Sequence, residues 1–202
     1  MRRAILTALL LAAVVSACGG ESQPSASGKW MRHDVRDTTA SVALPEEWKV
    51  IRDFDKASIE DFTKENEKFA PYVEPLLQND VFKLWAVDPD IQDEFATNLN
   101  VVVTPVNKPL IEWVESETVT ARQIAVPGSL KSRYVQTPAG EAAKLEWLVD
   151  LKTGGGTKQM RAVQYLFEKD GVGYVLSFST LPDLATAYEP TFTKSAKSFR
   201  YS

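Results

Sequence analysis

The apolar positions of this chain change period several times. Residues 4–15 (AILTALLLAAVV) are an apolar run of twelve, interrupted only by Thr7. Residues 19–28 (GGESQPSASG) hold nothing apolar larger than Ala. From Lys29 onward, stretches of period two alternate with stretches of period 3.6, the signatures of strand and helix. Trp30–Arg36 and Thr39–Ala43 read as two short strands of a hairpin. Leu44–Trp48 reads as a turn and Lys49–Arg52 as a strand. Ile59, Phe62, Phe69, Tyr72, Val73 and Leu76 fall at helical spacing. Pro71 and Pro75 divide them, which predicts a helix over 58–69 and a short one over 72–78. Val81–Val87 and Leu99–Val106 read as strands, joined by an acidic loop over Asp88–Ala96.

Leu110–Ala125 reads as a helix that starts after Pro109. Its expected inner face is Leu110, Ile111, Val114, Ala121 and Ala125, with Thr118 the one polar member. Trp113 falls off that stripe and is the candidate exposed anchor for a partner or ligand. Four strands follow at Leu130–Thr137, Ala142–Lys152, Gln159–Glu168 and Gly173–Thr180. Gly154-Gly155-Gly156 links the second to the third, and Lys169-Asp170-Gly171 links the third to the fourth as a hairpin. Leu184, Tyr188, Phe192 and Phe199 form a final helical stripe. Pro190 is expected to break it into a turn at 183–187 and a helix at 190–198. Runs of strands joined by short turns, with helices between the runs, predict an α+β domain: a largely antiparallel sheet covered by helices.

The run at 4–15 is shorter than the roughly 20 apolar residues that a bilayer span needs. With Arg2-Arg3 before it and small residues after it, it has the form of an export signal. Val15-Ser16-Ala17-Cys18 resembles the bacterial lipobox, in which the Cys thiol accepts diacylglycerol and the chain is cut just before it. The expected organisation is a signal peptide over 1–17 with cleavage between Ala17 and Cys18, a lipidated Cys18 and flexible tether over 18–28, and one domain over 29–202. Loss of residues 1–17 removes Arg2 and Arg3 and leaves 21 basic against 27 acidic residues, a net charge of −6. The protein is then expected on the extracytoplasmic face of a cell membrane, held by lipid.

Charge and composition narrow the chemistry. An acidic balance of 23 Lys and Arg against 27 Asp and Glu is not that of a nucleic-acid binder. With one Cys and one His there is neither an internal disulfide nor a zinc ligand set. A Ser-His-Asp triad would have to use His33. In a strand, His33 and its neighbour Asp34 point to opposite faces, and no G-x-S-x-G elbow exists. Asp88, Asp90, Asp93 and Glu94 cluster oxygens but lack the EF-hand spacing. The glycines at 154–156 lack the spacing and following helix of a phosphate loop. Glu46, Glu47 and Asp183 offer carboxylates without visible partner geometry. No catalytic residue, metal or cofactor is expected.

Three pieces of the sequence carry a family resemblance. They are Val42-Ala43-Leu44-Pro45-Glu46-Glu47-Trp48, Phe95-Ala96-Thr97-Asn98-Leu99-Asn100-Val101, and Tyr174-Val175-Leu176-Ser177-Phe178-Ser179 continuing to Phe192 and Ser198-Phe199-Arg200. In order and spacing this resembles the Mog/PsbP-like proteins, and in particular the LpqN-type lipoproteins of actinobacteria. The resemblance spans nearly the whole folded unit and implies an α/β/α sandwich. Members include a photosystem subunit, a nuclear-transport binding protein and envelope lipoproteins, so it implies binding and not catalysis. The expected function is a non-enzymatic envelope lipoprotein that binds a protein partner. The alternative is a carrier for a lipid or other apolar molecule in a groove between sheet and helices, lined by Trp and Phe.

Overall fold

The structure, a computed structural model, describes residues 28–69, 81–153 and 156–201. The expected signal peptide, Ala17, Cys18, nearly all of the tether, the short helix at 72–78 and Gly154-Gly155 lie outside the described residues.

In chain order the elements are β1 (Trp30–Asp34), β2 (Ala40–Pro45), β3 (Lys49–Ile51), α1 (Lys56–Glu65), β4 (Phe82–Gln92), β5 (Phe95–Pro105) and α2 (Leu110–Arg122). Then come β6 (Lys131–Thr137), β7 (Gly140–Thr153), β8 (Gly156–Lys169), β9 (Val172–Thr180), α3 (Ala185–Ser198) and β10 (Arg200–Tyr201). A seven-stranded sheet has the order β3-β4-β5-β9-β8-β7-β6, and a three-stranded sheet has the order β1-β2-β10. Every pairing is antiparallel.

Alternation along the strands gives the large sheet two buried faces. On β8, Met160, Ala162 and Leu166 point to one face, and Val163, Tyr165 and Phe167 to the other. The first face packs under α1 and α2, where Ile59, Trp113, Val114 and Ala121 meet Trp85, Trp147 and Val175. The second packs under α3 and the small sheet. There Tyr188, Phe192, Ala196 and Phe199 meet Val42, Leu44, Leu176 and Phe178. Phe178 stacks on Phe192 with centroids 4.6 Å apart. The result is three layers with a core on each side of the central sheet.

Three expectations change. The acidic loop at 88–96 is instead a hairpin. β4 runs on to Gln92, β5 begins at Phe95, and Asp93 and Glu94 turn the chain with φ of 45° and 59°. Positive φ at both positions matches the twist of the flanking strands, so the turn forms without glycine. Pro190 does not break the last helix, which is continuous from Ala185. Pro190 and Thr186, whose carbonyl loses its helical donor, are both exposed, so water replaces the missing bond. Finally, the first hairpin does not join the main sheet. It pairs with β10, whose Arg200 and Tyr201 lie opposite Ser41 and Ala40.

Candidate functional site

The face of α2 is set by Trp113. The indole is buried, at 2% exposure, and the exposed anchor expected there does not exist. The inward residues are Leu110, Trp113, Val114, Glu117 and Ala121, an i, i+3, i+4, i+7, i+11 stripe rotated from the expected one. Two features make this orientation favourable. Gly173 on β9 leaves the indole a recess: a Cβ there would lie 2.6 Å from the Trp113 ring and 2.5 Å from Val106 Cγ2. One turn along α2, Glu117 Oε1 accepts from Trp113 Nε1 at 3.1 Å, which satisfies the buried N–H. Burial pushes the Glu117 carboxyl above its ordinary pKa, and the indole N–H and Lys108 offset part of that rise. Both signals were present in the sequence: a glycine inside a strand and an acid four residues after a Trp. Gly173→Ala is expected to lower stability by about 1–3 kcal/mol through overpacking, seen as a fall in melting temperature; an unchanged melting point would refute the tight fit.

Burying Trp113 turns Ile111 outward. Ile111 is 56% exposed and Val119 59%, two turns apart on one side of α2, with Glu115 between them. Tyr134 on β6 is 43% exposed. Even-numbered residues of β6 share the α2 face, since Tyr134 is opposite Ala143 in the register. Burial and the Glu141 and Glu115 carboxylates raise the Tyr134 phenol pKa. Among the described residues β6 is also the last strand of its sheet, so one row of its backbone N–H and C=O groups is paired by none of the described strands. Ile111, Val119 and Tyr134 are exposed apolar groups on the α2 side of the sheet, which ends at this edge, and the sequence did not single them out.

Several buried titratable groups are locked in structural pairs. Lys144 on β7 is buried, with 1% of its side chain exposed. Its ammonium lies 2.5 Å from Glu189 of α3 and 3.2 Å from Glu146. Arg161 on β8 pairs with the same two carboxylates, and Arg133 on β6 reaches Glu146 at 3.5 Å. Burial pushes the Glu146 pKa up, but Lys144 and Arg161 outweigh it and hold the group below its ordinary value. Burial likewise depresses Lys144, and the bond to Glu189 with the surrounding charge raises it overall.

Asp88 is also buried and accepts from Tyr188 Oη at 2.9 Å and from the Asp90 N–H at 2.8 Å. Burial raises its pKa against those bonds. This pair ties α3 to β4 and leaves Asp88 no role as a loop ligand. Among the described residues, no group of three or more His, Cys, Asp or Glu is placed to hold a metal. His33 is half-buried, its pKa lowered by burial and by Arg52 against the opposing pull of Asp34.

These features define a class, an antiparallel α/β/α sandwich with helices on both faces of its main sheet. No family model matches the chain, and no curated protein matches it in sequence. Solved structures do match. A crystal structure from Bacteroides thetaiotaomicron aligns with a TM-score of 0.50 at 10% identity, over 87% of this chain and 48% of that one. The chain therefore spans about half the length of that protein. The solution structure of cyanobacterial PsbP from Synechocystis aligns over 93% of this chain and 99% of that one, at 12% identity and a TM-score of 0.49. LpqN of Mycobacterium tuberculosis, described as involved in cell envelope biogenesis, aligns over 85% and 90%, at 8% identity and a TM-score of 0.48. At these identities the likeness is one of fold. Among the described residues no helix is long and apolar enough to cross a membrane.

Proposed function

We propose that this protein is a non-enzymatic lipoprotein of the cell envelope, anchored through Cys18, that binds a protein partner through the exposed apolar groups of α2 and β6, the α2–β6 patch. The observation that carries the reading is the outward rotation of Ile111 and Val119 on the side of the sheet that ends at the β6 edge. An edge strand offers backbone hydrogen bonds to a partner strand, and the flanking apolar side chains supply area and register. The titratable clusters support a binding role, since their charges are spent on each other across β7, β8 and α3. The lipobox supports the anchor.

Two measurements test the two halves separately. Cys18→Ser is expected to abolish labelling by a fatty-acid probe; a variant still labelled sinks the anchor. A photo-crosslinker at Ile111, Val119 or Tyr134 is expected to give one discrete adduct in intact cells, and one at Lys64 on α1 to give none. Adducts equal at all four positions would remove the patch.

A carrier function is the second reading, and one observation bears on it. On the α1–α2 face, the central strands carry Asn98, Asn100, Gln164, Ser177 and Ser179, all buried. Asn100 is opposite Ser177 in the register and Gln164 Nε2 donates to Ser177 Oγ at 2.9 Å. A molecule held there would meet these polar groups beside the Trp85 ring, which is opposite Asn100, and not the purely Trp and Phe lining expected for an apolar ligand. A native mass spectrum of protein from the envelope separates the readings: a bound mass lost on denaturation favours the carrier, and a bare mass the interaction module.

A further inference from the structure

The charges of this acidic chain are divided between its two outer layers. α1 and α2 together carry six carboxylates against three cations. The opposite layer, α3 with the small sheet, presents Lys29, Arg32, Lys194, Lys197 and Arg200, all exposed. Contacts join Arg32, Lys194, Lys197 and Arg200 into one surface, and Lys29 directly precedes its Trp30 in the chain. Lys194 Nζ lies 4.1 Å above the Trp30 ring. Arg32 Nη1 donates to Ser41 Oγ and to the Ser198 carbonyl, each at 3.0 Å. Arg200 is opposite Ser41 in the sheet, so its side chain leaves on the side where Arg32 already lies. Lys194 and Lys197 are neighbours on α3 at i, i+3. Among the described residues, none of the five is in an ion pair. The same layer also carries acids: Asp34, opposite Ser41; the exposed Asp37 between β1 and β2; Glu46, whose N–H donates to the Lys29 carbonyl; and Glu189 of α3, paired with Lys144 and Arg161.

The path of the chain adds a second observation. Lys29 immediately precedes β1, and Cys18 is eleven residues upstream, a span of at most about 40 Å when fully extended. A lipid at Cys18 would tether the domain through the β1 end of this layer, within that reach of the leaflet.

We infer that the α3–β1 face docks on anionic phospholipid head groups and seats the domain on the membrane with the α2–β6 patch pointing away. The inference takes its reach from the lipid-anchor reading but not its binding chemistry. Each basic side chain near an anionic leaflet adds attraction that decays within a Debye length of about 8–10 Å. The carboxylates of α1 and α2 disfavour the opposite orientation. Apposition of this kind gives a singly anchored domain a fixed orientation and a second membrane signal.

The test uses the mature chain, residues 18–202, which contains every described element, with Cys18→Ser so that lipidation plays no part. It is expected to sediment with vesicles of phosphatidylcholine mixed with phosphatidylglycerol and not with pure phosphatidylcholine. Lys194→Gln, Lys197→Gln and Arg200→Gln together are expected to reduce that partitioning on the order of a hundredfold, with circular dichroism and melting temperature unchanged. Raising salt from about 50 to about 300 mM should reduce it as well. Equal sedimentation with both vesicle types, no sedimentation with either, or binding unaltered by the triple substitution overturns the inference. None of these results bears on lipid attachment, which the fatty-acid label reads by itself.

Discussion

Replacing Lys144 by Ala is expected to destabilise the protein by about 3–5 kcal/mol, the usual cost of removing one partner from a buried ion cluster. The ammonium sits between Glu146 and Glu189 with 1% of its side chain exposed; when it goes, Glu189 loses its nearest cation and Glu146 loses one of its three. Arg161 remains between the two acids, and the exposed Arg133 reaches only Glu146. Urea unfolding followed by far-ultraviolet circular dichroism measures the loss. A change under about 1 kcal/mol would mean that the cluster opens to water readily and that Lys144 contributes as a surface residue does.

The same variant carries a pH signature. The Glu146 pKa is held below its ordinary 4.5, so the group stabilises the fold above that value and the contribution disappears as pH falls through the lowered pKa. Lys144 is raised above 10.5, and its contribution is present below that value and lost as pH rises through the raised pKa. Asp88 and Glu117 work in the opposite sense. Their raised pKa values make stability fall as pH rises through the carboxylate range. The wild-type profile mixes these trends, and the difference between wild type and Lys144→Ala isolates the cluster. That difference is expected to be largest between about pH 5 and 9 and to shrink toward pH 3. A difference independent of pH would show that Lys144 acts through packing alone.

Trp113→Ala is expected to cost about 3–5 kcal/mol, as truncation of a buried aromatic does. Besides the cavity, it leaves Glu117 without the donor that bonds it. Ile111→Ala, two residues away, is expected to change stability by less than about 0.5 kcal/mol, because that side chain is 56% exposed. The two substitutions should exchange places in a partner-capture assay: Ile111→Ala weakens the cross-linked adduct, and a Trp113 variant still folded at low temperature retains it. Equal stability effects would mean that α2 does not sit with Trp113 inward.

How much of this was legible in the sequence differs from element to element. The β8–β9 hairpin was, because Asp170-Gly171 has the residue types that left-handed turn positions favour, and both adopt positive φ. The stripe of α3 was, because Tyr188 and Phe192 repeat at helical spacing and no other face competes. The β4–β5 hairpin was hidden, since Asp93-Glu94 lacks the glycine that marks such a turn. The rotation of α2 was hidden for a different reason. Ile111 and Trp113 are both apolar, and hydropathy alone does not choose between faces two residues apart.

The sequence by itself determined the acidic balance, the scarcity of Cys and His that limits nucleophilic and metal chemistry, and the alternation of strand and helix periods that defines an antiparallel α+β fold. Those are properties of composition and local spacing. Only the tertiary structure decided which way α2 faces, because the recess at Gly173 that receives Trp113 comes from a strand some 60 residues further along the chain. It also decided that the first hairpin pairs with the last two strand residues, and that Lys144 meets Glu189. Contacts between residues so far apart in the chain leave no periodic trace, since each segment has the same local pattern whether or not its partner is present.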